Sequence, residues 1–427
     1  MKVLIVGGGG REHAIALKIK ENPEVTALYA APGNGGIAQI ATCLPFKATD
    51  VDGIVRWAAE NKVDFVIVAP DDPLCLGMVD ALAAQGIPAF GPRKNAAIIE
   101  GSKVFSKNLM KKYGIPTAAY ETFDDYDAAV KYLQTADMPI VVKADGLALG
   151  KGVLICPDRE SAVEAVASMM KEAKFGASGA RVVIEEFLTG PEVSVLAFTD
   201  GKTVKPMASS MDHKRALDHD EGLNTGGMGT IAPNPCYTPE LARRCMDEIF
   251  LPTIAAMNAE GRTFTGCLYF GLMMTPKGPK VIEYNCRFGD PETQVVLPLL
   301  KSDLLTIMRA TVDGTLADTP VEFASGAACC VVLASGGYPV SYKSGYPISG
   351  LDEAGKTATV FHAGTKLVDG QIVTAGGRVL GVTATADTLE AAIDKAYQAA
   401  DKITFTDMHM RRDIGQRALA SRKESHS

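Results

Sequence analysis

Several features that mark other classes of protein are missing from this chain of 427 residues. No apolar run approaches the roughly 18 residues that a membrane-spanning helix needs. The opening residues, M-K-V-L-I-V-G-G-G-G, are too short and glycine-interrupted for a signal peptide and instead predict a first strand. The net charge of -7 argues against nucleic acid or an anionic membrane as the main partner. Any anion that the protein binds must therefore be met by local cations.

A metal-binding pattern of cysteines is also missing. The nine cysteines show no C-x-x-C spacing, and the only neighbours, Cys329 and Cys330, lie in an apolar run. An odd number of cysteines without such spacing is typical of reduced thiols in the cytoplasm. The sequence thus predicts a cytoplasmic protein without a zinc site.

Two common nucleotide-binding motifs are absent. The run Gly7 to His13 reads G-G-G-G-R-E-H, so Glu12 stands where G-x-G-x-x-G needs a glycine. The second predicted strand ends in A-A-P-G-N, without the acid that would hold an adenosine ribose, which disfavours NAD. There is also no G-x-x-x-x-G-K-[ST] motif, which excludes a P-loop.

What is present is typical of an ordinary globular protein, with 47% apolar and 22% charged residues. The length suggests roughly three domains of about 150 residues each. The first hundred residues alternate strands and helices, which predicts a parallel sheet with ligands at the carboxyl ends of its strands. The predicted elements are strands at Val3 to Val6, Val25 to Ala30 and Phe65 to Ala69, and helices at Arg11 to Glu21 and Pro73 to Gln85.

Two of these strand ends are polar. The glycine run opens a helix, whose free amides and dipole favour a phosphate, with Arg11 as a cation beside it. Glu12 could meet a hydroxyl or an amine, and A-P-D-D-P-L follows the third strand. A tight strand-to-helix turn without a ligand explains the glycines equally well.

Lysines and glycines recur in the next segment. Lys103 lies in the first turn of a helix capped by Ser102, where a cation opposes the helix dipole unless a phosphate partners it. Two strands between Pro139 and Cys156 flank a glycine-rich loop that can fold over phosphates. The candidate phosphate-binding residues there are Lys143, Gly146, Gly150, Lys151 and Gly152. Solvated lysines on an ordinary hairpin are the alternative.

Two further segments are candidates for ligand contacts. The step Glu185 to Leu188 interrupts an apolar strand, so its backbone edge could contact an adenine, and Glu192 could take ribose hydroxyls. The segment Ser209 to Pro235 contains M-D-H-K-R and N-T-G-G-M-G. Polar glycine loops of this length are usually functional or disordered.

The most concentrated group of polar residues follows the strand that begins at Lys280. Side chains alternate along a strand, so Glu283 and Asn285 point to one face and Ile282 and Tyr284 to the other. A carboxylate and an amide oxygen suit Mg²⁺, which keeps waters or phosphates in its other positions. Beyond them the loop supplies Arg287, Asp290 and Glu292. A cation beside a metal is expected in phosphoryl transfer, although a solvated surface hairpin would give a similar pattern.

The remainder of the chain predicts a small domain of strands closed by one helix. The strands are Ala327 to Ala334, Ala358 to Phe361, Lys366 to Val368 and Arg378 to Thr383, and the helix is Thr388 to Lys402. Gly376-Gly377-Arg378 forms a polar turn. The Ser421-to-Ser427 tail is expected to be frayed.

The order of these motifs resembles a known family. S-K-x-F, K-A-D-G-L-A-L-G-K-G, E-E-F-L, D-H-K-R, N-T-G-G-M-G, E-Y-N-C-R-F-G-D-P-E, H-A-G-T and G-G-R-V-L occur in the order seen in the glycinamide ribonucleotide synthetase (phosphoribosylamine-glycine ligase) family of the ATP-grasp superfamily. The resemblance runs from about Met1 to Arg417. It implies an α/β chain in which an ATP-grasp fold is preceded by a parallel-sheet, Rossmann-like domain and followed by a small mixed α/β domain. The implied ranges are 1–101, 102–314 with a nucleotide lid at about 122–190, and 320–420.

The resemblance also implies the chemistry. ATP phosphorylates the carboxylate of glycine, and the amine of 5-phosphoribosylamine attacks the glycyl phosphate, giving glycinamide ribonucleotide in de novo purine synthesis. Mg²⁺ or Mn²⁺ is the implied metal, and neither nucleic acid nor membrane is an implied partner. A monomer and a dimer both stay open. No general base is demanded, since an unprotonated amine is already nucleophilic, so His13 and His213 are expected to be structural.

Residue roles follow from the matching motifs. The implied catalytic residues are Arg287, Asp212, Asp290 and Lys214. The implied ATP-binding residues are Lys103, Lys143, Gly146, Gly150, Lys151, Gly152, Glu185, Glu186, Phe187, Leu188 and Glu192. The implied substrate-binding residues are Gly9, Gly10, Arg11, Glu12, Asp71, Gly226, Gly227 and Met228. The implied metal ligands are Glu283 and Asn285.

Three positions depart from the family pattern. Gly8 stands where asparagine is common, Asp71 stands where glutamate is usual, and the strand Cys267 to Met274 lacks the acid found in the wider superfamily. The departures bear on sugar affinity and on the number of metal ions. Alternative functions are another ATP-grasp carboxylate-amine ligase, a nicotinamide oxidoreductase, which the broken glycine motif disfavours, and a non-catalytic nucleotide-binding regulator. The regulator would have no need of Glu283, Asn285 and Arg287 together.

Overall fold

In the computed structural model, which describes residues 1–148, 152–172 and 174–424, the chain begins with a five-stranded parallel sheet. Its strands are Lys2–Gly7 (β1), Ala27–Pro32 (β2), Thr42–Cys43 (β3), Phe65–Val68 (β4) and Ala89–Phe90 (β5), in the order β3-β2-β1-β4-β5. Its helices are Gly10–Lys20 (α1), Val51–Glu60 (α2), Asp71–Cys75 (α3), Met78–Ala84 (α4) and Lys94–Gly101 (α5). Strands β1 and β4 are neighbours, so the two polar loops that follow them lie at one edge of the sheet. The predicted parallel sheet is confirmed.

The helix predicted from Pro73 to Gln85 is wrong as a single element. Two helices, α3 and α4, occupy this segment, and Gly77 lies between them with φ of +87°. A helix cannot continue through a left-handed residue, so the apolar periodicity is divided between two axes. Helix α3 begins at Asp71, shortly after β4 ends.

The second part of the chain contains two antiparallel sheets. The first, with the shorter strands, belongs to a unit formed by Tyr120–Phe123 (β6), Tyr126–Leu133 (α7), Ile140–Ala144 (β7), Val153–Cys156 (β8), Arg159–Met170 (α8) and Val182–Glu186 (β9). Its strand order is β6-β9-β7-β8. Helix α6 (Lys103–Tyr113) precedes it, begins with the predicted Ser102 N-cap and ends at Gly114. The two strands predicted around the glycine loop are β7 and β8.

The second sheet, which also has four strands, has the order β11-β10-β16-β17. Its strands are Glu192–Thr199 (β10), Val204–Pro206 (β11), Gly266–Thr275 (β16) and Gly278–Asn285 (β17). The helices that accompany it are Pro239–Cys245 (α9), Leu251–Ala259 (α10), Thr293–Val296 (α11) and Leu304–Asp313 (α12), with one π-helical turn, Met246–Phe250, joining α9 to α10. This sheet carries Glu192 at one strand end and Glu283 and Asn285 at another.

The polar segment from Ser209 to Pro235, predicted as a long loop, contains four short strands. They are Met211–Asp212 (β12), Arg215–Leu217 (β13), Glu221–Asn224 (β14) and Gly229–Ala232 (β15). Strands β13 and β14 form a hairpin, while β12 and β15 join a sheet built mainly from the last part of the chain. Strand β15 pairs with β12 inside this segment and with β18 about a hundred residues away, so its place in the sheet has no local sequence signal.

The last part of the chain completes that sheet in the order β12-β15-β18-β22-β19. Its elements are Ala327–Ala334 (β18), Leu351–Gly355 (α13), Thr359–His362 (β19), Thr365–Val368 (β20), Gln371–Thr374 (β21), Arg378–Ala386 (β22), Leu389–Ala400 (α14) and Gln416–Glu424 (α15). The four predicted strands and the predicted closing helix are all present. The tail expected to fray from Ser421 continues as helix α15 to Glu424.

Apolar contacts unite these parts. One buried cluster contains Ile5 of β1, Phe198 of β10, Phe288 after β17 and Cys330 of β18. A shared core of this kind holds the polar loops of all three parts in fixed relation to one another. Across the described ranges, none of the helices is both long and apolar enough to cross a membrane.

Candidate active site

The predicted alternation on β17 places two oxygen-bearing side chains on one face. Glu283 pairs with Gly271 and Asn285 pairs with Tyr269, while Tyr284 packs in the core on the other face. The expectation for Ile282 is wrong, because the register shifts at this residue and Val281 takes the core position instead. A bulge leaves its residue outside the ladder. The free carbonyl of Ile282 accepts a hydrogen bond from Lys143 Nζ at 3.2 Å.

Beside this strand, Glu185 lies between two lysines. Its carboxylate forms ion pairs with Lys143 and, at 2.6 Å, with Lys107, and all three side chains are buried. Burial alone would raise the pKa of Glu185, but Lys143 and Lys107 lower it below its ordinary value. Burial lowers the pKa of Lys107 to about 8, against the opposing effect of Glu185. The Glu185 carboxylate thus balances the charges of the two lysines and does not point its side chain toward an adenine.

Lys103 is the first residue of α6 and reaches the glycine-rich loop. Its Nζ donates to the carbonyl of Gly146 at 2.9 Å, and burial lowers its pKa although nearby Glu283 raises it. A Cβ on Gly146 would lie 2.4 Å from Ser178 Oγ, so this close approach requires glycine. The carbonyl of Gly152 accepts from the amide of Ala144 at 2.8 Å. Gly150 and Lys151, predicted to bind phosphate, lie outside the described residues.

The predicted adenine and ribose contacts lie at the end of β9 and the start of β10. Glu186 pairs with Lys280 at 3.1 Å, its amide donates to Ala119, and Phe187 is 39% exposed. Leu188 is half-buried in the turn that follows. Glu192 lies half-exposed with its carboxylate 3.3 Å from Lys214 Nζ.

The glycine loop after β1 is closed by its own helix. The amide of Gly9 donates to Glu12 Oε2 at 2.7 Å, and Arg11 Nε lies 2.8 Å from Glu12 Oε1. Glu12 is only 1% exposed. Its carboxylate therefore caps α1 and orients Arg11 instead of facing an open site. Gly10 begins α1, where a Cβ would meet the side chain of Gln294.

The loop after β17 meets this glycine loop through Asp290. Asp290 Oδ2 accepts from the amide of Arg11 at 3.3 Å, and Oδ1 accepts from Gln294 Nε2 at 2.8 Å. Burial alone would raise the pKa of Asp290, but Arg378 and Arg11 lower it. The carboxylate at this position is consequently held in its charged form.

Arg287 lies between two acids from the first part of the chain. Its guanidinium is 3.2 Å from Glu100 Oε1 and 3.8 Å from Asp71 Oδ2. Burial alone would raise the pKa of Asp71, but Arg287 and Arg11 lower it. Asp71, at the start of α3, thus shares one charged cluster with both arginines.

A second set of acidic side chains, Glu192, Asp212 and Glu292, surrounds Lys214. Burial, and then neighbouring Glu292, raise the pKa of Asp212 well above its ordinary value. Tyr269 donates from its hydroxyl to Glu292 at 3.2 Å. Glu192 raises the pKa of Lys214, against burial, so this lysine stays protonated.

The N-T-G-G-M-G loop packs against these acids. Gly227 has φ of +121°, and a Cβ there would lie 2.5 Å from Pro291 Cδ and 2.6 Å from Asp212 Oδ1, so only glycine fits. Gly226 donates to the Tyr338 hydroxyl and accepts from Arg378 Nη1 at 2.7 Å. Met228 is completely buried, and its amide and carbonyl are bonded to His213 and Val332. It therefore supports this loop from behind and does not face a ligand.

The departure at Gly8 has a local steric reason. A Cβ there would lie 2.4 Å from the carbonyl oxygen of Gly33, at the end of the neighbouring strand. Asn34, next in the chain, donates to the Gly8 carbonyl at 3.0 Å. The two loops at this sheet edge are thus packed backbone against backbone.

Sequence reasoning missed three charged residues of this site. Lys107 lies one helical turn after Lys103, and that spacing places both lysines on one face of α6, a signal that could have been used. Glu100 and Arg378 contact residues 187 and 88 positions away, so no local pattern could have identified them. Arg378 had been interpreted only as part of a polar turn.

Lys103 and Lys214 lie near Glu283, and Lys143 contacts the neighbouring Ile282 carbonyl, so cationic side chains surround the acidic face of β17. No group of three or more His, Cys, Asp or Glu side chains that could bind a metal occurs in the part of the chain that the structure describes. Glu283 and Asn285 instead offer one carboxylate and one amide oxygen, and Asn285 Nδ2 donates to the Tyr284 carbonyl, which leaves Oδ1 to accept. This donor set fits a hard cation that also binds phosphate oxygens.

Family models match almost the whole chain. Residues 1–100 match the N domain, residues 101–293 the ATP-grasp (A) domain and residues 328–417 the C domain of phosphoribosylglycinamide synthetase. A phosphoribosylamine--glycine ligase from Halalkalibacterium halodurans is 48% identical over 100% of this chain and 99% of its own length. The same-named protein from Agrobacterium fabrum is 49% identical over 99% of this chain and 100% of its own length.

Solved structures agree with these matches. A crystal structure of phosphoribosylamine--glycine ligase from Thermotoga maritima superposes with a TM-score of 0.86 at 34% identity, covering 97% of this chain and 100% of the other. A biotin carboxylase from Campylobacter jejuni shares the fold alone, with a TM-score of 0.73 at 15% identity, covering 96% of this chain and 92% of the other. The predicted ATP-grasp architecture, with its preceding parallel-sheet domain and its following α/β domain, is confirmed. The chain belongs to the phosphoribosylglycinamide synthetase family.

Proposed function

We propose that this protein is an ATP-dependent carbon-nitrogen ligase that joins glycine to 5-phosphoribosylamine in purine biosynthesis. The products are glycinamide ribonucleotide, ADP and phosphate. The observation that carries the proposal is the proximity of Lys103 and Lys214 to Glu283 on β17. Lys143 contacts the carbonyl of the neighbouring Ile282, and Arg287 lies in the next loop. Such a set of charges is suited to a triphosphate and a carboxylate held side by side.

The first step forms a mixed anhydride. A carboxylate oxygen of glycine attacks the γ-phosphorus of ATP, and the bond from that phosphorus to the bridging oxygen of ADP breaks. Lys103 and Lys143 neutralise the phosphates, and Lys107 acts through Glu185 to keep Lys143 in place. Arg287 stabilises the charge that develops on the transferring group. ATP with a divalent metal is used throughout this superfamily, and Glu283 and Asn285 would bind Mg²⁺ or Mn²⁺, which neutralises triphosphate charge.

The second step forms the amide. The amine nitrogen of 5-phosphoribosylamine attacks the carbonyl carbon, and the bond from this carbon to the phosphate oxygen breaks. The nitrogen gives up one of its two protons to solvent as inorganic phosphate leaves, which gives the neutral amide. Arg11 and the amide of Gly10, at the start of α1, bind the sugar phosphate, as anions bind at helix N-termini. The Gly9 amide, which donates to Glu12, fixes the shape of this turn beside the phosphate. Asp71 takes a ribose hydroxyl.

The remaining assignments concern the amino acid and the nucleotide base. Asp290 and Asp212 orient the two amino groups, and Lys214 balances the acidic group around them. Gly226 and Gly227 bring the loop backbone close to the substrates. The segment Glu186 to Leu188 contacts the adenine and Glu192 the ribose. The nine cysteines are all free thiols, which is consistent with the cytoplasm.

Two measurements test this function. ADP release is measured with each substrate omitted in turn, and turnover should require both glycine and 5-phosphoribosylamine. Equal release without the sugar would overturn the substrate assignment and favour another carboxylate-amine ligase. With ¹⁸O in the carboxyl group of glycine, one labelled oxygen should appear in the released phosphate, and its absence would exclude the glycyl phosphate.

A further inference from the structure

Glu100 is a buried acid outside the residues assigned so far. It lies in the last turn of α5, next to the start of α6, and is 8% exposed. Burial raises its pKa to about 7, although Arg287 opposes the shift. A carboxyl group in such a place is unfavourable for folding unless its partners compensate.

Its two oxygens have different partners in the loop after β17. Oε2 accepts from the amide of Cys286 at 2.7 Å, and Oε1 lies 3.2 Å from Arg287 Nη2. Cys286 directly follows Asn285 in the chain. One side chain from the first part of the protein therefore fixes both the end of β17 and the guanidinium beyond it.

The other contacts of Arg287 are weaker or do not select one orientation. Nη1 donates to the carbonyl of Phe288 at 3.2 Å, while the closest approach of Nε to Asp71 is 3.8 Å. Among the described residues, Arg287 Nε is buried without a hydrogen-bond partner. A long side chain must be ordered before it can act, and here the closest charged contact comes from Glu100.

We propose that Glu100 is a positioning residue, which holds the Arg287 guanidinium in the orientation that stabilises the transferring phosphoryl group. The proposal rests on the proposed function, because it assigns Arg287 to that reaction. Glu100 itself touches neither ATP nor glycine in this account. Its effect on the rate should therefore exist only while Arg287 is present.

A double-mutant cycle tests that dependence. Glu100→Gln keeps the volume and one acceptor oxygen for Cys286 but removes the charge beside Arg287. In the wild-type background we expect kcat to fall by about 30-fold, with the KM for ATP changed by less than about threefold, because the guanidinium is mispositioned and ATP binding is intact. In the Arg287→Ala background the same substitution should lower kcat by less than about threefold.

Controls separate this proposal from the function itself. Glu100→Asp keeps the charge and should retain more activity than Glu100→Gln, whereas a purely structural role would favour the isosteric glutamine. Glu260→Ala removes another paired acid, which directly follows α10 and contacts Lys112 in the last turn of α6, and should leave kcat unchanged. An equal loss from Glu100→Gln in both backgrounds, or no loss in the wild-type background, would overturn the proposal. A wild-type protein without ligase turnover would instead overturn the function.

Discussion

The guanidinium of Arg378 on β22 contacts both the side chain and the backbone carbonyl of Asp290. Nη2 lies 3.6 Å from Asp290 Oδ1, and Nη1 donates to the Asp290 carbonyl at 2.9 Å. The same Nη1 also donates to the carbonyl of Gly226. One arginine from the last part of the chain thus connects the two loops that we assign to substrate binding.

Replacing Arg378 by alanine should weaken binding of the sugar substrate. Both loops lose their common anchor, and Asp290 loses a cation that keeps it charged. We expect the KM for 5-phosphoribosylamine to rise by about tenfold or more, with the KM for ATP within about twofold, because the lysine cluster is untouched. Steady-state kinetics measure both, with Arg412→Ala, which breaks an exposed ion pair with Asp401, as control. Equal increases in the KM for 5-phosphoribosylamine and the KM for ATP would contradict this interpretation.

Lys107 should contribute to stability through Glu185. Lys107→Met keeps most of the side-chain volume but leaves Glu185 buried with Lys143 alone. Loss of one buried charge partner is expected to lower the free energy of unfolding by about 1–3 kcal/mol, which urea denaturation would measure. Lys111→Met, on the exposed side of the same helix, should change it by less than about 0.5 kcal/mol. Similar effects of the two substitutions would show that the buried pair is not stabilising.

These contacts mark the limit of what the sequence could predict. Glu283 and Asn285 were placed correctly on one strand face because side-chain alternation is a local property of a strand. Ile282 was misplaced because a bulge depends on the partner strand. The Arg378 contact could not be predicted, because tertiary packing alone brings β22 to this loop.

The helix error has the same origin. The periodicity from Pro73 to Gln85 is compatible with one helix, yet Gly77 takes a left-handed conformation that glycine permits but does not require. The length and composition of the segment from Ser209 to Pro235 predicted a functional or disordered loop. Strands β12 and β15 escaped prediction because β15 is held by β18, far along the chain. The local β13–β14 hairpin escaped because its strands have only three and four residues.

Removing the carboxylate of Glu283 should abolish turnover while the fold persists. Glu283→Gln keeps the size of a half-buried side chain and removes one charge from the face of β17. We expect kcat to fall at least about 100-fold and the Mg²⁺ concentration for half-maximal rate to rise, because the proposed metal ligand is lost. The urea midpoint of Glu283→Gln should match that of the wild type. As a control, Glu248→Gln, which changes an exposed acid paired with Arg244, should keep the wild-type kcat, Mg²⁺ dependence and urea midpoint. Retained activity would show that this face does not bind the metal.

Adding a methyl group at Gly8 should disturb the sugar-phosphate loop. The new Cβ would lie 2.4 Å from the Gly33 carbonyl oxygen, so one of the two backbones must move. We expect the KM for 5-phosphoribosylamine to rise about tenfold in Gly8→Ala, with a smaller change in kcat, because the displaced backbone belongs to the proposed phosphate site. Gly355→Ala is the matched control, since a Cβ there meets no atom within 4 Å. An unchanged KM would show that the loop absorbs the shift without affecting the ligand.

His13 should make the protein sensitive to acid. Its Nδ1 accepts from the amide of His362 at 2.8 Å, and burial, followed by neighbouring His362, lowers its pKa to about 3. The unfolded chain, with an ordinary histidine pKa near 6.5, binds more protons than the folded protein below that pH, so stability is lost as pH falls. Between pH 6.5 and 5 this residue should remove roughly 2 kcal/mol.

His13→Asn provides the test, because the asparagine Oδ1 can accept the same hydrogen bond and does not titrate. Urea denaturation at pH 7, 6 and 5 should show a shallower loss of stability in this variant than in the wild type. His219→Asn removes an exposed histidine at φ of +61°, a conformation that asparagine tolerates, and should keep the wild-type slope. If His13→Asn keeps that slope as well, the acid sensitivity arises elsewhere, and His362, whose pKa burial lowers to about 4, becomes the next residue to replace.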